Sequence, residues 1–391
     1  MHLRLDKRAA GEPPARSRRV VTALSSARAV RLILATAAVG AVVAAPAVAQ
    51  AKTVTVYTGP PPNIDKLLPA SVGLSKSFKA KYNPDVNAFF PEKVTIHVGD
   101  TVRFVRGMMP HTIDIPPAGG SDLPLLVAGK PVAGVNDAAG NPFWFNGKVP
   151  SLGLNPLLAK QGPTRVSYNG TKRVESGFFL GNGSAPDLNV TFTKTGAFKV
   201  FCDIHYGMAA TVVVRPKSER LPTAAQDNAA LRAQVVSDLK ALKTAAKIKP
   251  PANTVSVGSA GPGGAELFAM FPATLHVKAG TVVTFSMSRD TREVHTVTFG
   301  TRAYLTKLGH GLLSDPLLTQ EDLYPSDIPV LGPIALSPST HGNGFANLGG
   351  LDADATTPLP PSGKIMFSTP GTYHYVCLIH PFMRGTIIVT K

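Results

Sequence analysis

The sequence predicts an all-β protein in two similar halves, and three observations carry that expectation. The 391 residues include 36 glycines and 35 prolines, with 44% hydrophobic and 16% charged residues, a balance that suits packed strands and many turns rather than disorder or long helices. Short runs alternate apolar and polar residues along the chain, which is the pattern of a half-buried strand. One loop occurs twice, as Cys202-Asp203-Ile204-His205-Tyr206-Gly207-Met208 and as Cys377-Leu378-Ile379-His380-Pro381-Phe382-Met383. The two copies hold both cysteines of the chain, and each follows an alternating run, residues 197–201 and 372–376.

Taken in order, residues 1–51 read as an export signal. Arginines 4, 8, 16, 18, 19, 28 and 31 with Lys7 precede an apolar run at 32–45, and Ala47-Val48-Ala49 or Ala49-Gln50-Ala51 offers small residues for cleavage. Arg18-Arg19 after Ser17 fits a twin-arginine route only in part, because Val20 and Val21 follow and Arg28 and Arg31 still lie ahead of the apolar run. That run is short for a bilayer span and no later one is longer, so no stable membrane insertion is expected and the mature chain is expected in the periplasm, outside the cell or at its surface. The formal charge is +16, of which the signal carries a net +6, leaving about +10 on the remainder. Those basic residues are scattered and have no aromatic stacking platform beside them, which argues against nucleic acid and leaves an acidic redox partner or an anionic surface open.

The mature chain divides into residues 52–215, a linker at 216–250, and residues 251–391. A first strand is expected at 53–57, followed by an irregular stretch at 58–84. Residues 90–104 then give two strands around a Gly99-Asp100 turn and lead to His111. The second half repeats the layout: 254–257 matches the first strand, and Phe271-Pro272 through Gly280 to Phe285 matches Phe90-Pro91 through Gly99 to Phe104 without a gap, leading to His295. Gly177-Phe178 and Gly344-Phe345 correspond, Gly196 and Gly371 each stand six residues before a cysteine, and strands at 211–214 and 386–389 close the halves. This is the pattern of a duplicated β domain.

Each half also carries a long insert between its first histidine and its cysteine. The first holds the single tryptophan, in Asn141-Pro142-Phe143-Trp144-Phe145; the second holds Leu312-Leu313, Leu317-Leu318 and a proline-bearing run up to Pro361. These inserts either shape an interface near the loops or cover a sheet edge. The linker contains the one strong helix signal, residues 222–248. Thr223 and Gln226 form a capping box, Leu231, Val235, Leu239 and Leu242 share a face, and Pro250 stops it.

The chemistry lies in the paired loops. Cysteine and histidine three apart can face one metal after a strand, and a methionine three further on adds a weak thioether. A second imidazole is needed, and His111 and His295 stand at matching points of the repeat. Two imidazoles, a thiolate and an axial thioether suit copper and its one-electron cycling; zinc gains little from a thioether and has no redox chemistry. A Cys202–Cys377 disulfide is the competing use of the cysteines in an exported chain. Met108 and Met109 compete as thioethers but do not recur, and His97, His276, His310, His341 and His374 read as surface or structural residues.

With these residues in view, both halves resemble the cupredoxin, or blue copper, family, and the Cys-x-x-His-x-x-Met loops are similar to its amicyanin branch. The resemblance covers roughly residues 85–215 and 265–391. It implies two Greek-key β-sandwiches joined by the linker helix. It also implies two type 1 copper sites, one at His111, Cys202, His205 and Met208, the other at His295, Cys377, His380 and Met383. Four protein ligands leave little room for substrate, so the expected role is single-electron transfer with a redox partner protein, and copper holding or delivery is the alternative. A copper oxidoreductase is disfavoured. The multicopper oxidases need His-x-His pairs, which do not occur here, and nitrite reductases need a histidine next to the cysteine, where this chain has Phe201 and Asp203, and Val376 and Leu378. A third metal site through His310 or His341 is the route left to an enzyme.

Overall fold

The computed structural model describes residues 51–62, 64, 73–107, 110–178, 185–308 and 319–391. The expected export signal, apart from Ala51, lies outside the described residues, as do Met108, Met109, His310 and the leucine pairs at 312–313 and 317–318. The described residues all fall within one folded unit, Gln50–Lys391. Strands dominate it.

In the first half, Thr53–Thr58 pairs in parallel with Thr101–Arg106, and these form a sheet with Phe89–Phe90, Leu188–Phe192 and Arg165–Tyr168. A second sheet runs in the order Val174–Glu175, Asp114–Ile115, Gly196–Phe201, Ala209–Arg215, Lys93–His97. Alternation along these strands sends Val56, Phe104 and Val190 of one sheet and Ile96, Val200 and Val212 of the other into a shared apolar core. The Gly99-Asp100 turn carries the chain from one sheet to the other. Gly99 supplies the positive φ (92°), and the Asp100 carboxylate accepts the amides of His97 (2.9 Å) and Lys52 (2.8 Å).

The second half has two sheets with the same order. Ala265–Phe271, Thr254–Gly261, Thr281–Met287, Ser362–Phe367 and Ile334–Leu336 make one; Ala346–Leu351, His295–Phe299, Gly371–Val376, Arg384–Thr390 and Thr274–Lys278 make the other. The parallel pairs also fall at matching places: Thr254–Gly261 with Thr281–Met287, and Thr274–Lys278 with Arg384–Thr390. Thr254–Gly261 runs four residues past the expected strand end, through a register shift between Val257 and Ser259.

Three features differ from expectation. The stretch expected to be irregular contains a helix, Lys76–Tyr82, made possible by Ser75, whose hydroxyl accepts the Phe78 amide, and ended by Asn83 in the left-handed region. The linker helix spans Ala224–Ala245, three residues short of 248, with the Thr223–Gln226 capping box in place and Val235, Leu239 and Leu242 buried. Most consequential is Pro84–Val86. This first-half segment adds to the edge of the second-half sheet, pairing antiparallel with Ala265–Phe271. It ties the halves together and carries Asn87 to the seam between them.

The inserts also cross that seam. A hairpin of Leu126–Pro131 and Pro150–Leu154 lies in the first insert. Beyond its first strand, Trp144 donates through Nε1 to the Pro325 carbonyl (2.8 Å), and Phe143 and Phe145 pack in one cluster with Phe345 and Leu378 of the second half. Gln320 exchanges two hydrogen bonds with the backbone of Leu152, both 2.9 Å. The insert thus braces the residue that follows Cys377.

Candidate metal centres

In both halves the strand before the loop delivers the cysteine, and the loop closes on itself by the same two backbone bonds. The Cys202 amide donates to the Met208 carbonyl (3.0 Å) and the Met208 amide to the His205 carbonyl (2.9 Å). In the second loop the Cys377 amide donates to Met383 (3.0 Å) and the Met383 amide to His380 (2.8 Å). The upstream histidine arrives from the other side of the loop. His111 Nδ1 lies 3.0 Å from His205 Nδ1, with Cys202 Sγ 3.7 Å from the former and 3.4 Å from the latter. His295 Nδ1 lies 3.1 Å from His380 Nδ1, with Cys377 Sγ at 3.8 and 3.7 Å.

All six side chains are buried, and the donor atoms of each trio lie within 4.8 Å of one another. Met208 and Met383 are buried in the same cores as their cysteines. Both cysteines are free, each within its own trio, which removes the disulfide alternative. His341 stands apart, between Asp137 (3.1 Å) and Asp327 (3.2 Å), where it ties the two inserts together. His97 Nε2 donates to the Glu219 carbonyl (2.8 Å) and His374 Nδ1 shares a hydrogen bond with the Thr386 hydroxyl (3.1 Å), both at the surface.

The surroundings fix these trios from behind. Thr112 and Thr296, one residue after each upstream histidine, accept the amide that follows the cysteine: Asp203 N to Thr112 Oγ1 at 2.8 Å, Leu378 N to Thr296 Oγ1 at 2.7 Å. Gly59 and Gly258, both with positive φ, pass so close to the upstream rings that a Cβ would sit 3.4 Å from His111 Nε2 and 3.2 Å from His295 Nε2. Recurrence in the sequence could have found the threonines, since both follow a matched histidine. The glycines lie outside the matched segments.

Glu293 could not be found that way. It occurs once, two residues before His295, and its carboxylate stands between the halves. Oε1 is 2.7 Å from His205 Nε2, and Oε2 is 3.7 Å from His380 Nε2. Arg292 beside it donates its amide to Glu266 (2.7 Å) and its guanidinium to the carbonyl of Asn87 (2.5 Å). The strand added at Pro84–Val86 therefore helps to hold the bridge.

Electrostatics follow this placement. Burial alone would raise the Cys202 thiol, but His205 and His111 hold it well below its usual range, so a thiolate is favoured. Burial alone would lower His205, and the Glu293 and Cys202 charges instead raise it well above an ordinary histidine. Burial opposes ionisation of Glu293, yet His205 brings it down to about 2. Glu266, buried and facing Glu293, is pushed up to about 8. His380, farther from the carboxylate, is lowered by burial.

The first centre also has polar flanks. Asp203, beside Cys202, accepts the Leu123 amide (2.8 Å), and its neighbours Asp114 and Glu175 are pushed by burial to about 8 and about 10. Arg173 pairs with Asp114. The second centre is apolar by comparison: the Phe268 ring lies 5.0 Å from the His380 ring and 5.8 Å from the His295 ring, centroid to centroid. The amides of Thr296 (3.3 Å) and His380 (3.4 Å) point at Cys377 Sγ.

Comparison with known proteins bears on a short part of the chain. No family model matches. A segment making up 12% of the chain is 36% identical over 52 residues to amicyanin-alpha of Methylorubrum extorquens, and the chain spans 44% of that protein's length. The likeness is thus of one segment to part of an amicyanin. Among solved structures, a Cu(I) form of an amicyanin variant is matched over 37% of this chain and 89% of its own, at 20% identity and a TM-score of 0.20. Oxidized plastocyanin from Dryopteris crassirhizoma is matched over 35% of this chain and 99% of its own, at 21% identity and a TM-score of 0.19. No described helix is long and apolar enough to cross a membrane.

Proposed function

We propose that this chain is an exported tandem cupredoxin that binds one type 1 copper in each half and passes single electrons to and from redox partner proteins. Each half would be a Greek-key sandwich, the two joined by the Ala224–Ala245 helix. The observation that carries the reading is the duplicated buried trio: two Nδ1 atoms and one sulfur gathered within 4.8 Å in each half, with a buried methionine three residues after the loop histidine. The metal ligands would be His111, Cys202, His205 and Met208, and His295, Cys377, His380 and Met383.

The donor chemistry fits copper. The Cys202 sulfur, favoured as a thiolate, and two imidazole Nδ1 atoms suit it, and copper, when bound, supplies the one-electron couple. The protein's own residues do the rest. Thr112, Thr296, Gly59 and Gly258 hold the rings and loops in place, the buried cores exclude water, and four side-chain donors leave no open position for substrate. Such a site exchanges electrons without making or breaking bonds to a substrate.

A redox titration of the copper-loaded protein followed by visible absorption tests the reading. Two electrons per chain should be taken up and released reversibly, with the thiolate-to-copper band bleaching and returning. Copper that exchanges with little reversible reduction would overturn it in favour of copper holding. Export is checked by finding the chain outside the cytoplasm with its amino terminus near residue 52.

A further inference from the structure

The geometry points to an internal one-electron relay between the two centres through His205, Glu293 and His380, running from the first centre to the second. This rests on the copper reading above and goes beyond it, because that reading requires only that each centre meet an external partner. The ring of His205 carries a donor at Nδ1 and touches Glu293 Oε1 at 2.7 Å through Nε2. The same carboxylate faces Nε2 of His380 at 3.7 Å, and His380 carries the corresponding Nδ1 donor of the second trio. One residue thus spans the two rings, and both loop histidines are buried.

The bridge is built and held. Glu293 sits in a buried wall made by both halves: Arg292 is clamped by Glu266 and the Asn87 carbonyl, and Asn87 Nδ2 donates to Glu266 at 3.3 Å. A merely structural carboxylate at a seam needs one partner. This one is shared between two ligand rings that belong to different centres.

The asymmetry gives a direction. A carboxylate 2.7 Å from a ligand ring favours the more highly charged, oxidised state of that centre, and at 3.7 Å the effect is weaker. Amide hydrogens aimed at a ligand sulfur favour the reduced state, and the two at Cys377 Sγ have no counterpart at Cys202 Sγ among the described residues. Both effects place the lower potential at the first centre. In the transfer the first centre is oxidised by one electron and the second reduced by one; no covalent bond forms or breaks. The electron enters from an external one-electron donor.

The test uses the full copper-loaded chain, reduced by flash with less than one electron per chain. The single-centre variants Cys377→Ser and Cys202→Ser supply the reference spectra and midpoint potentials. Expected are a redistribution from the first centre to the second whose rate is independent of protein concentration, and a lower potential in Cys377→Ser than in Cys202→Ser. Glu293→Ala should slow the redistribution by about 10-fold or more, as loss of a ligand's hydrogen-bond partner does, with Glu293→Gln in between. A rate that scales with protein concentration overturns the relay, as does an unchanged rate in Glu293→Ala at full copper content. A higher potential in Cys377→Ser overturns its direction. Absence of the thiolate-to-copper band in the unsubstituted protein overturns the copper reading instead.

Discussion

The two candidate centres share a set of donor side chains and differ in what lies behind it. The first is flanked by Asp203, Asp114 and Glu175 and pressed by the Glu293 carboxylate; the second is walled by Phe268 and receives two amides at its sulfur. The donors and the loop closure match between the halves while the surroundings differ. A ligand motif therefore specifies which metal chemistry is possible, and the unshared residues around it set potential, outlet and partner.

The largest effect that can break this comparison is loss of a thiolate. Cys202→Ser and Cys377→Ser should each lower copper content by one per chain and remove roughly the share of the visible band belonging to that centre, read by metal analysis and absorption. If either variant keeps both coppers, the halves are not equivalent in function.

Next comes the brace that serves only one centre. Phe145 is fully buried between Tyr324 and the cluster holding Phe345 and Leu378, so Phe145→Ala should cost about 3–5 kcal/mol in thermal or denaturant unfolding. Copper should leave the second centre before the first, since Leu378 adjoins Cys377. Equal loss from both would show that the insert supports the seam as a whole.

A smaller, matched pair of substitutions probes the upstream rings. Gly59→Ala and Gly258→Ala both place a Cβ in the left-handed region, at a cost of about 1–2 kcal/mol each. Gly258→Ala should be the worse, because its Cβ would stand 3.2 Å from His295 Nε2 against 3.4 Å from His111 Nε2 at Gly59. Unfolding curves and the position of the visible band read both effects.

The effect on the centres is smallest in the linker. Asp238 is pushed up to about 7 from 3.8, first by burial and then by Glu92. The folded chain thus keeps a proton that the unfolded chain releases, and the stabilisation present below 3.8 is lost as pH rises through about 7. Asp238→Asn should stabilise the protein at pH 8 and much less at pH 4, with both copper centres unaffected. An equal effect at both pH values would contradict the assignment.

Much of this was legible in the chain because repetition acts as an internal control. The matched positions of His111 and His295, and of the two loops, led to side chains that the fold does gather within 4.8 Å. The linker helix was equally readable, since its capping box and apolar face are local signals. What escaped was non-local or single. Pro84–Val86 is three residues opening with a proline and gives no strand pattern, and its pairing with Ala265–Phe271 depends on how the halves dock. Glu293 has no twin, so a search for recurrence passes over it, although it is the residue through which the two centres touch.

The central claim is two type 1 copper centres in one chain, and the most direct test is copper stoichiometry measured together with visible absorption on the intact, copper-loaded protein. Two coppers per chain with an intense thiolate-to-copper band, about half of which survives in either single cysteine variant, is the predicted result. One copper or none, or two coppers without that band, would contradict it.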